Sequence, residues 1–240
     1  DLGKARDKAG EARQGAMDDA LWKASTEQLI EIASAQEKKE LAKELRAELT
    51  AKLAESNELS DLLAAAHSLM DAMKLAEAER LLDSIDKNSV SQTMVGDYRL
   101  ARARLAGEKL DAEGFFAVYA EAAEDGPLHN RDRYFGMLEE YFDLPTYVLP
   151  VHDAAIERLE RESDSAPDEL WLLAAEAAHL GNLKPNEMNA RYQYVRRNPR
   201  DIEQLQKLAE DAVAVASELL PYSADDLDEF DIPAEEPVRM

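Results

Sequence analysis

Apolar residues recur at every third or fourth position along most of this chain, which is the spacing that places them on one face of an α-helix. The clearest stretches are 58–71, 74–86, 94–107 and 112–124. No sustained alternation with β-branched residues, the pattern of a strand, occurs between turn signals. All nine prolines lie at or after Pro127, so the first 126 residues contain none that must interrupt a helix. The pattern predicts an all-α protein.

The N-terminal part, residues 1–56, is predicted to form amphipathic helices that precede a more regular region. Ser25 followed by Gln28 resembles a capping box and would begin a helix there. Further along, four leucines spaced four apart form an apolar stripe: Leu41, Leu45, Leu49 and Leu53. We expect this stripe to lie against a neighbouring helix or against a partner chain, and self-association through it is one prediction.

From residue 57 onward, the helices come in pairs joined by short turns. The buried and small residues of these pairs are Leu62, Ala65, Ala66, Leu69, Ala78, Leu82 and Ile85, then Ala103, Phe115, Tyr119, Ala122 and Pro127, then Trp171, Ala174, Ala175, Ala178 and Pro199. Their spacing resembles that of tetratricopeptide repeats, over about residues 58–215 and least well between 128 and 166. The resemblance implies an α-solenoid of antiparallel helix pairs over 57–220, with a surface that binds peptides or helical segments.

The chain is strongly acidic, with 51 acidic against 28 basic residues and a formal net charge of −23 at pH 7. Such a surface repels phosphate groups, so nucleic acid and anionic lipid are disfavoured as partners. No apolar stretch approaches the roughly 20 residues needed to span a bilayer. Cysteine is absent, which excludes disulfides and thiolate chemistry. Because the chain begins with Asp1 rather than Met, both a cytoplasmic location and, after removal of a leader, a periplasmic or exported one remain open.

The last segment, residues 221–240, holds seven acidic residues and is predicted to be disordered, because it cannot bury enough apolar surface to offset its ordering entropy. Leu227, Phe230 and Ile232 within it are candidate anchors for a groove, and the alternative is a solvated tail.

No catalytic or metal-binding motif is found, so we expect a non-enzymatic protein without a cofactor or metal. The four histidines are scattered. His152 lies near Asp153 and Glu157, but His152 and Glu157 would face different sides of a helix. An enzyme whose site lies between helices, near His152 or His179, is the least favoured alternative.

Two groups of residues are candidates for binding a partner. Adjacent aromatic pairs within 115–147 cannot both face one direction on a helix, so Phe116 and Phe135 are expected to reach a second packed layer or a ligand groove. A basic segment within the acidic chain contributes Arg191, Tyr192, Tyr194, Arg196, Arg197 and Arg200, and a weaker basic strip contributes Arg99 and Arg102, with Arg104 beside them. These arginines would bind a carboxylate, or those of the basic segment would complement a helix C-terminus.

The combined pattern predicts a non-enzymatic scaffold or adaptor that binds a protein or peptide partner. The alternative is a structural subunit of a larger assembly, in which the leucine stripe and the aromatic residues are buried between chains. The acidic tail of the same or another molecule is one self-consistent ligand for the basic segment.

Overall fold

The computed structural model describes residues 2–14, 19–126, 128 and 130–219, and these residues form twelve α-helices, two short 3₁₀ helices and no β-strand. The α-helices are α1 (Leu2–Gln14), α2 (Asp19–Ala35), α3 (Lys39–Ala54), α4 (Leu59–Asp71), α5 (Leu75–Asp83), α6 (Val95–Glu108), α7 (Ala112–Glu124), α8 (Arg131–Tyr141), α9 (Pro145–Glu162), α10 (Glu169–Leu180), α11 (Lys184–Arg197) and α12 (Ile202–Leu219). The 3₁₀ helices are Lys87–Ser89 and Ser163–Ser165. The all-α prediction is confirmed. The predicted acidic tail, residues 221–240, and Pro127 lie outside the described residues.

One predicted helix start is wrong. Ser25 lies in the interior of α2, which begins six residues earlier at Asp19. The Ser25 hydroxyl donates to the carbonyl oxygen of Leu21 instead of capping a helix. The intervening residues are mostly good helix formers, so the helix extends toward the N-terminus through the position that resembles a cap.

Four of the turns between helices have the same backbone geometry. In each turn one non-glycine residue has a φ of 54–57°, namely Glu37, Met73, Leu110 and Asn182. The N–H of the residue that follows donates to the carbonyl oxygen five residues back, at 2.8–2.9 Å: Lys38 to Ala33, Lys74 to Leu69, Asp111 to Ala106 and Leu183 to Ala178. This Schellman arrangement satisfies carbonyls left open at a helix end. Positions 37, 73, 110 and 182 are separated by 36, 37 and 72 residues.

Each helix packs mainly against helices that are close to it in the chain. Consecutive helices contact each other from α1 to α7 and again from α9 to α12. Alternate helices also contact each other, α4 with α6, α6 with α8, α7 with α9 and α8 with α10. Most packing is therefore local in sequence, and α6 and α10 have the most neighbours among the helices.

Helix α6 lies between two hydrophobic clusters. Leu100 and Ala103 belong to the larger cluster, which extends through α7, α8, α9 and α10. Tyr98 and Leu105 belong to the smaller one, formed with α4 and α5. Because apolar residues are needed on opposite sides of α6, its sequence has no single apolar face.

The aromatic residues between 115 and 147 are mostly core. Edge-to-face contacts join Phe115 to Phe142 at 5.3 Å between ring centroids, and Tyr119 to Tyr134 at 5.3 Å. Phe135 stacks on Tyr119 at 6.2 Å and also packs against the cluster of α10 and α11. Phe135 thus reaches a second packed layer.

Phe116 is half-buried and packs against the larger cluster. Neither Phe116 nor Phe135 is placed in a ligand groove among the described residues, because both rings are taken up by packing within the chain.

Two glycines on neighbouring helices are predicted to respond in opposite ways to alanine. A Cβ at Gly107 would lie 2.8 Å from Cγ of the Tyr141 ring, whose hydroxyl is held by Glu108 at 3.3 Å. Gly107→Ala should therefore lower the free energy of unfolding by about 1–3 kcal/mol. Gly136, inside α8, has no atom within 4 Å of its Cβ position, so Gly136→Ala should raise stability by about 0.5–1 kcal/mol. Urea denaturation followed by circular dichroism measures both, and two shifts of the same sign would contradict this packing.

Candidate functional site

The basic segment at the end of α11 is divided between the interior and the solvent. Arg191 and Tyr194 are buried and Arg197 is half-buried. Tyr192, Arg196 and Arg200 are exposed. The six residues proposed from the sequence as one partner-binding group therefore do not share a surface, because α11 packs on α10 with one side and on α12 with another.

Arg191 holds α11 to α12. Its side chain is 4% exposed and donates to Glu187 at 3.0 Å and to Gln204 at 2.6 Å. Lys184 donates to Glu187 at 3.2 Å and to Asp211 at 2.6 Å. A buried guanidinium engaged in this way does not reach a partner, so the assignment of Arg191 to a partner-binding surface is corrected.

Tyr194 belongs to a second buried polar group, which is centred on Arg131. Arg131 forms two hydrogen bonds with the Glu169 carboxylate, at 2.8 and 3.0 Å, and donates to the Tyr194 hydroxyl at 3.1 Å. The Tyr194 hydroxyl in turn donates to Asp201 at 3.0 Å. Burial raises the pKa of Tyr194 to about 12, with Glu169 and Asp201 acting in the same direction and Arg131 opposing them. Tyr194 thus remains a protonated donor that joins α8, α10 and α11, and it is not available to a ligand.

Arg197 is committed to α10. Its guanidinium lies 5.5 Å from the centroid of the Trp171 ring and 3.4 Å from the Asp168 carboxylate. The side-chain amide of Asn198 donates to the same Asp168 at 3.0 Å. The end of α11 is therefore tied to the start of α10 rather than open to a partner.

Arg99 and Arg102 on α6 are also engaged within the chain. Arg99 pairs with Asp125 at 2.5 Å and with Glu121 at 3.4 Å, both on the α7 side. Arg102 pairs with Asp83 of α5 at 2.6 Å. Burial by itself lowers the pKa of Arg99, but the Asp125 and Glu121 carboxylates raise it by more than burial lowers it. The pKa of Arg99 is therefore above its usual value. The strip links neighbouring helices, so Arg99 and Arg102 already have carboxylate partners within the chain.

The remaining three residues of the basic segment face solvent. Tyr192 is 51% exposed and lies one turn before Arg196 on α11, and Arg200 follows in the turn to α12. In the part of the chain that the structure describes, Arg46 and Arg80 each donate to an oxygen and eleven other arginines pair with a carboxylate. Arg196 and Arg200 do neither. These two exposed guanidinium groups are the exception in an acidic protein.

Helix α12 presents an unusual face beside these arginines. Its inward side carries the buried Gln204 and the half-buried Asp211, both bound to α11, with Leu208 packed near Tyr194 and Val195. Its outward side carries Ile202, which is 60% exposed, and Leu205, which is 37% exposed. The inward side of α12 thus combines polar contacts with Leu208, and the outward side leaves Ile202 and Leu205 in contact with solvent.

The leucine stripe of α3 is mostly internal. Leu45 and Leu53 are buried, Leu49 is half-buried, and only Leu41 is exposed, at 38%. Leu41 and Leu45 border a shallow groove of about 410 Å³ together with residues of α1. The neighbouring helices α2 and α4 pack against α3 and account for most of the stripe.

The described residues include no group of three or more His, Asp or Glu side chains that could hold a metal ion. A groove of about 400 Å³ near Trp22 is lined by Lys23, Lys52 and Asp61 and by residues around them, and neither it nor the groove at Leu41 reaches a histidine. His152 is buried, with its Nδ1 at 2.9 Å from Asp153 and its Nε2 without a hydrogen-bond partner.

Among the helices of the described residues, none is both long enough and apolar enough to cross a membrane.

The sequence did not indicate the Arg131–Glu169 pair or the group of Lys184, Glu187, Gln204 and Asp211 around Arg191. Arg131 lies where the repeat pattern is weakest, and Glu169 resembles an ordinary acidic residue of a helix start. Only the meeting of helices separated by up to 70 residues brings these charges together.

Comparison of the chain with models of known protein families, with curated proteins and with solved structures gives no match. Tyr192, Arg196 and Arg200 are named here the α11–α12 corner.

Proposed function

We propose that this chain is a non-enzymatic interaction scaffold, an α-solenoid of antiparallel helix pairs similar to tetratricopeptide repeats. Its partner is an acidic segment of another protein, bound at Tyr192, Arg196 and Arg200. The observation that carries the proposal is the exposure of two unpaired arginines beside an exposed tyrosine in a chain of net charge −23.

The repeated turn supports the solenoid. Helices α2, α4, α6 and α10 are each followed by a residue in the left-handed conformation and by the same backbone hydrogen bond. These left-handed residues are about 36 positions apart, or twice that number. Repeats of the resembled family are about 34 residues long, and a helix pair with its turn is the repeating unit. Because the same turn follows α2, α2 and α3 form a further helix pair in this proposal, although residues 1–56 were expected to lie outside the repeats. The turn between α8 and α9 does not contain this left-handed residue, and there Pro145 occupies the first position of α9.

The chemistry of the corner supports an acidic ligand. A guanidinium without an internal partner keeps its donors for an external carboxylate, and Arg binds carboxylates through two parallel hydrogen bonds. Tyr192 adds an exposed ring that packs against apolar parts of a peptide. The acidic remainder of the surface repels such a ligand and favours the corner as the place of contact.

The structural-subunit alternative is favoured by one observation, the exposed Leu41 beside the groove at α1 and α3. Light scattering after size-exclusion chromatography distinguishes the two proposals. A scaffold of this kind elutes as a monomer at micromolar concentration, whereas a subunit forms an assembly that Leu41→Glu dissociates.

The proposed function is tested by selecting peptides from a random display library on the full chain. We expect the enriched peptides to be acidic, and their affinity, measured by fluorescence anisotropy, to fall at least about tenfold in Arg196→Glu/Arg200→Glu. Binding should also weaken with added salt, because the contacts are charged and exposed.

The matched control is Lys207→Glu, which reverses an exposed charge on another side of α12. It should change the affinity less than twofold. Peptides that bind the arginine variant and the wild type equally well would contradict the proposed site.

A further inference from the structure

Helix α12 leaves an apolar stripe in contact with solvent. Ile202, Leu205, Ala209 and Ala212 are all exposed, and their spacing of three or four residues places them on one side of the helix. The opposite side is occupied by the contacts of Gln204 and Asp211 with α11. Exposed apolar stripes of this kind are characteristic of surfaces that another segment covers.

We propose that residues 220–240 of the same chain cover this stripe and bring their carboxylates to Arg196 and Arg200. The proposal rests on the proposed function in one respect, since it assigns the same two arginines an intramolecular ligand.

The length of the segment allows this path. Helix α12 has 18 residues and is about 27 Å long, and its first residue lies next to the arginines while its last adjoins residue 220. An extended chain advances about 3.3 Å per residue, so roughly eight residues return over that distance. The segment of 21 residues is therefore long enough to pass along the whole helix.

The composition of the segment matches the surface. Leu227, Phe230 and Ile232 are separated by Asp228, Glu229 and Asp231, so apolar side chains for the stripe alternate with carboxylates for the arginines. The segment holds seven acids in all, and the net charge of −23 means that the chain as a whole repels it. At the α11–α12 corner, two unpaired arginines adjoin an exposed apolar stripe.

Docking of this segment would regulate the site. A tethered competitor acts at an effective concentration on the order of millimolar, so an external acidic peptide must displace it. The apparent affinity for such a peptide would then be lower in the natural chain than in one whose tail acids are neutralised.

Spin labels measure the docking directly. The chain has no cysteine, so Asn189→Cys on the exposed side of α11 and Ala234→Cys in the tail provide two unique label positions. Double electron–electron resonance on the full chain should give a narrow distribution of distances between the labels. The distribution should become broad in Arg196→Glu/Arg200→Glu and, independently, in Ile202→Asp/Leu205→Asp, and it should stay narrow in Lys207→Glu.

A broad distribution in the natural background would overturn the proposal, as would a narrow one that neither variant pair changes. Loss of the narrow component on dilution with unlabelled chains would show that the tail binds a second copy, which also overturns intramolecular docking.

Measurements of peptide binding distinguish a failure of tail docking from a failure of the proposed function. Replacing Asp225, Asp226, Asp228, Glu229 and Asp231 by their amides should raise the affinity for a selected acidic peptide at least about tenfold. A broad label distribution together with arginine-dependent peptide binding would reject the docked tail and keep the scaffold. A narrow distribution together with no peptide binding, even by the amide variant, would reject the scaffold and keep the docked tail.

Discussion

Phe115→Ala is expected to lower the free energy of unfolding by about 4 kcal/mol. The Phe115 ring is fully buried in the larger cluster. It makes edge-to-face contacts with Phe142 at 5.3 Å and with Tyr134 at 6.5 Å between centroids. Truncation removes these contacts and leaves a cavity between α7 and α8 that the surrounding rings fill only in part.

The adjacent Phe116 supplies the matched control. It is half-buried at the edge of the same cluster, so Phe116→Ala should lower the free energy of unfolding by about 1–2 kcal/mol. Urea denaturation of both variants, with an unchanged dependence on denaturant, measures the difference. Equal losses for the two residues would mean that the aromatic core is not organised as described.

Arg191→Met is expected to lower the free energy of unfolding by about 3–5 kcal/mol. The change leaves the Glu187 carboxylate buried with one donor fewer, and Gln204 loses the donor at 2.6 Å that joins it to α11. Removing one partner of a buried ion pair has a large effect, because Glu187 then depends on the more exposed Lys184, at 3.2 Å, for its compensating charge. Arg196→Met, five residues along the same helix, should change stability by less than about 0.5 kcal/mol, since its side chain is exposed and unpaired.

A double variant tests whether the loss of stability in Arg191→Met comes from the buried Glu187 carboxylate that Arg191 no longer contacts. Arg191→Met/Glu187→Leu should be more stable than the sum of the two single losses predicts, because both charges are removed together. Simple additivity, measured by denaturation of all four chains, would argue that Arg191 acts through packing alone. An Arg191 variant is unsuitable for testing partner binding, because it disturbs the contact between α11 and α12 as well as any bound ligand.

Local signals in the sequence predicted the helices from α4 to α7 closely. Their apolar spacing predicted 58–71, 74–86, 94–107 and 112–124, and the observed bounds differ by three residues at most. Asp111 illustrates why: its carboxylate accepts from the N–H of Gly114 at 2.9 Å, an N-cap contact decided within four residues. Ser25 shows the limit of such signals, because a capping pattern inside a run of helix formers does not begin a helix.

The candidate site was predicted only in part. Arg191, Arg196 and Arg200 have the same side chain within one short segment, yet one is buried in ion pairs and two face solvent. Likewise, Tyr192 is exposed and Tyr194 is buried. Aromatic and basic residues alternate here without a single apolar face, so periodicity could not indicate which side of α11 packs inward.

By itself, the sequence determined the helical class of this protein, the bounds of its middle helices and its strongly acidic character, because each depends on residue type and on neighbours a few positions away. Tertiary structure alone decided which charges are paired and which remain available. Arg131 meets Glu169 and Arg99 meets Asp125 only because separate helices pack side by side. Burial and pairing are properties of that packing, and so it is the packing of α11 between α10 and α12 that leaves Arg196 and Arg200 exposed while Arg191 is buried.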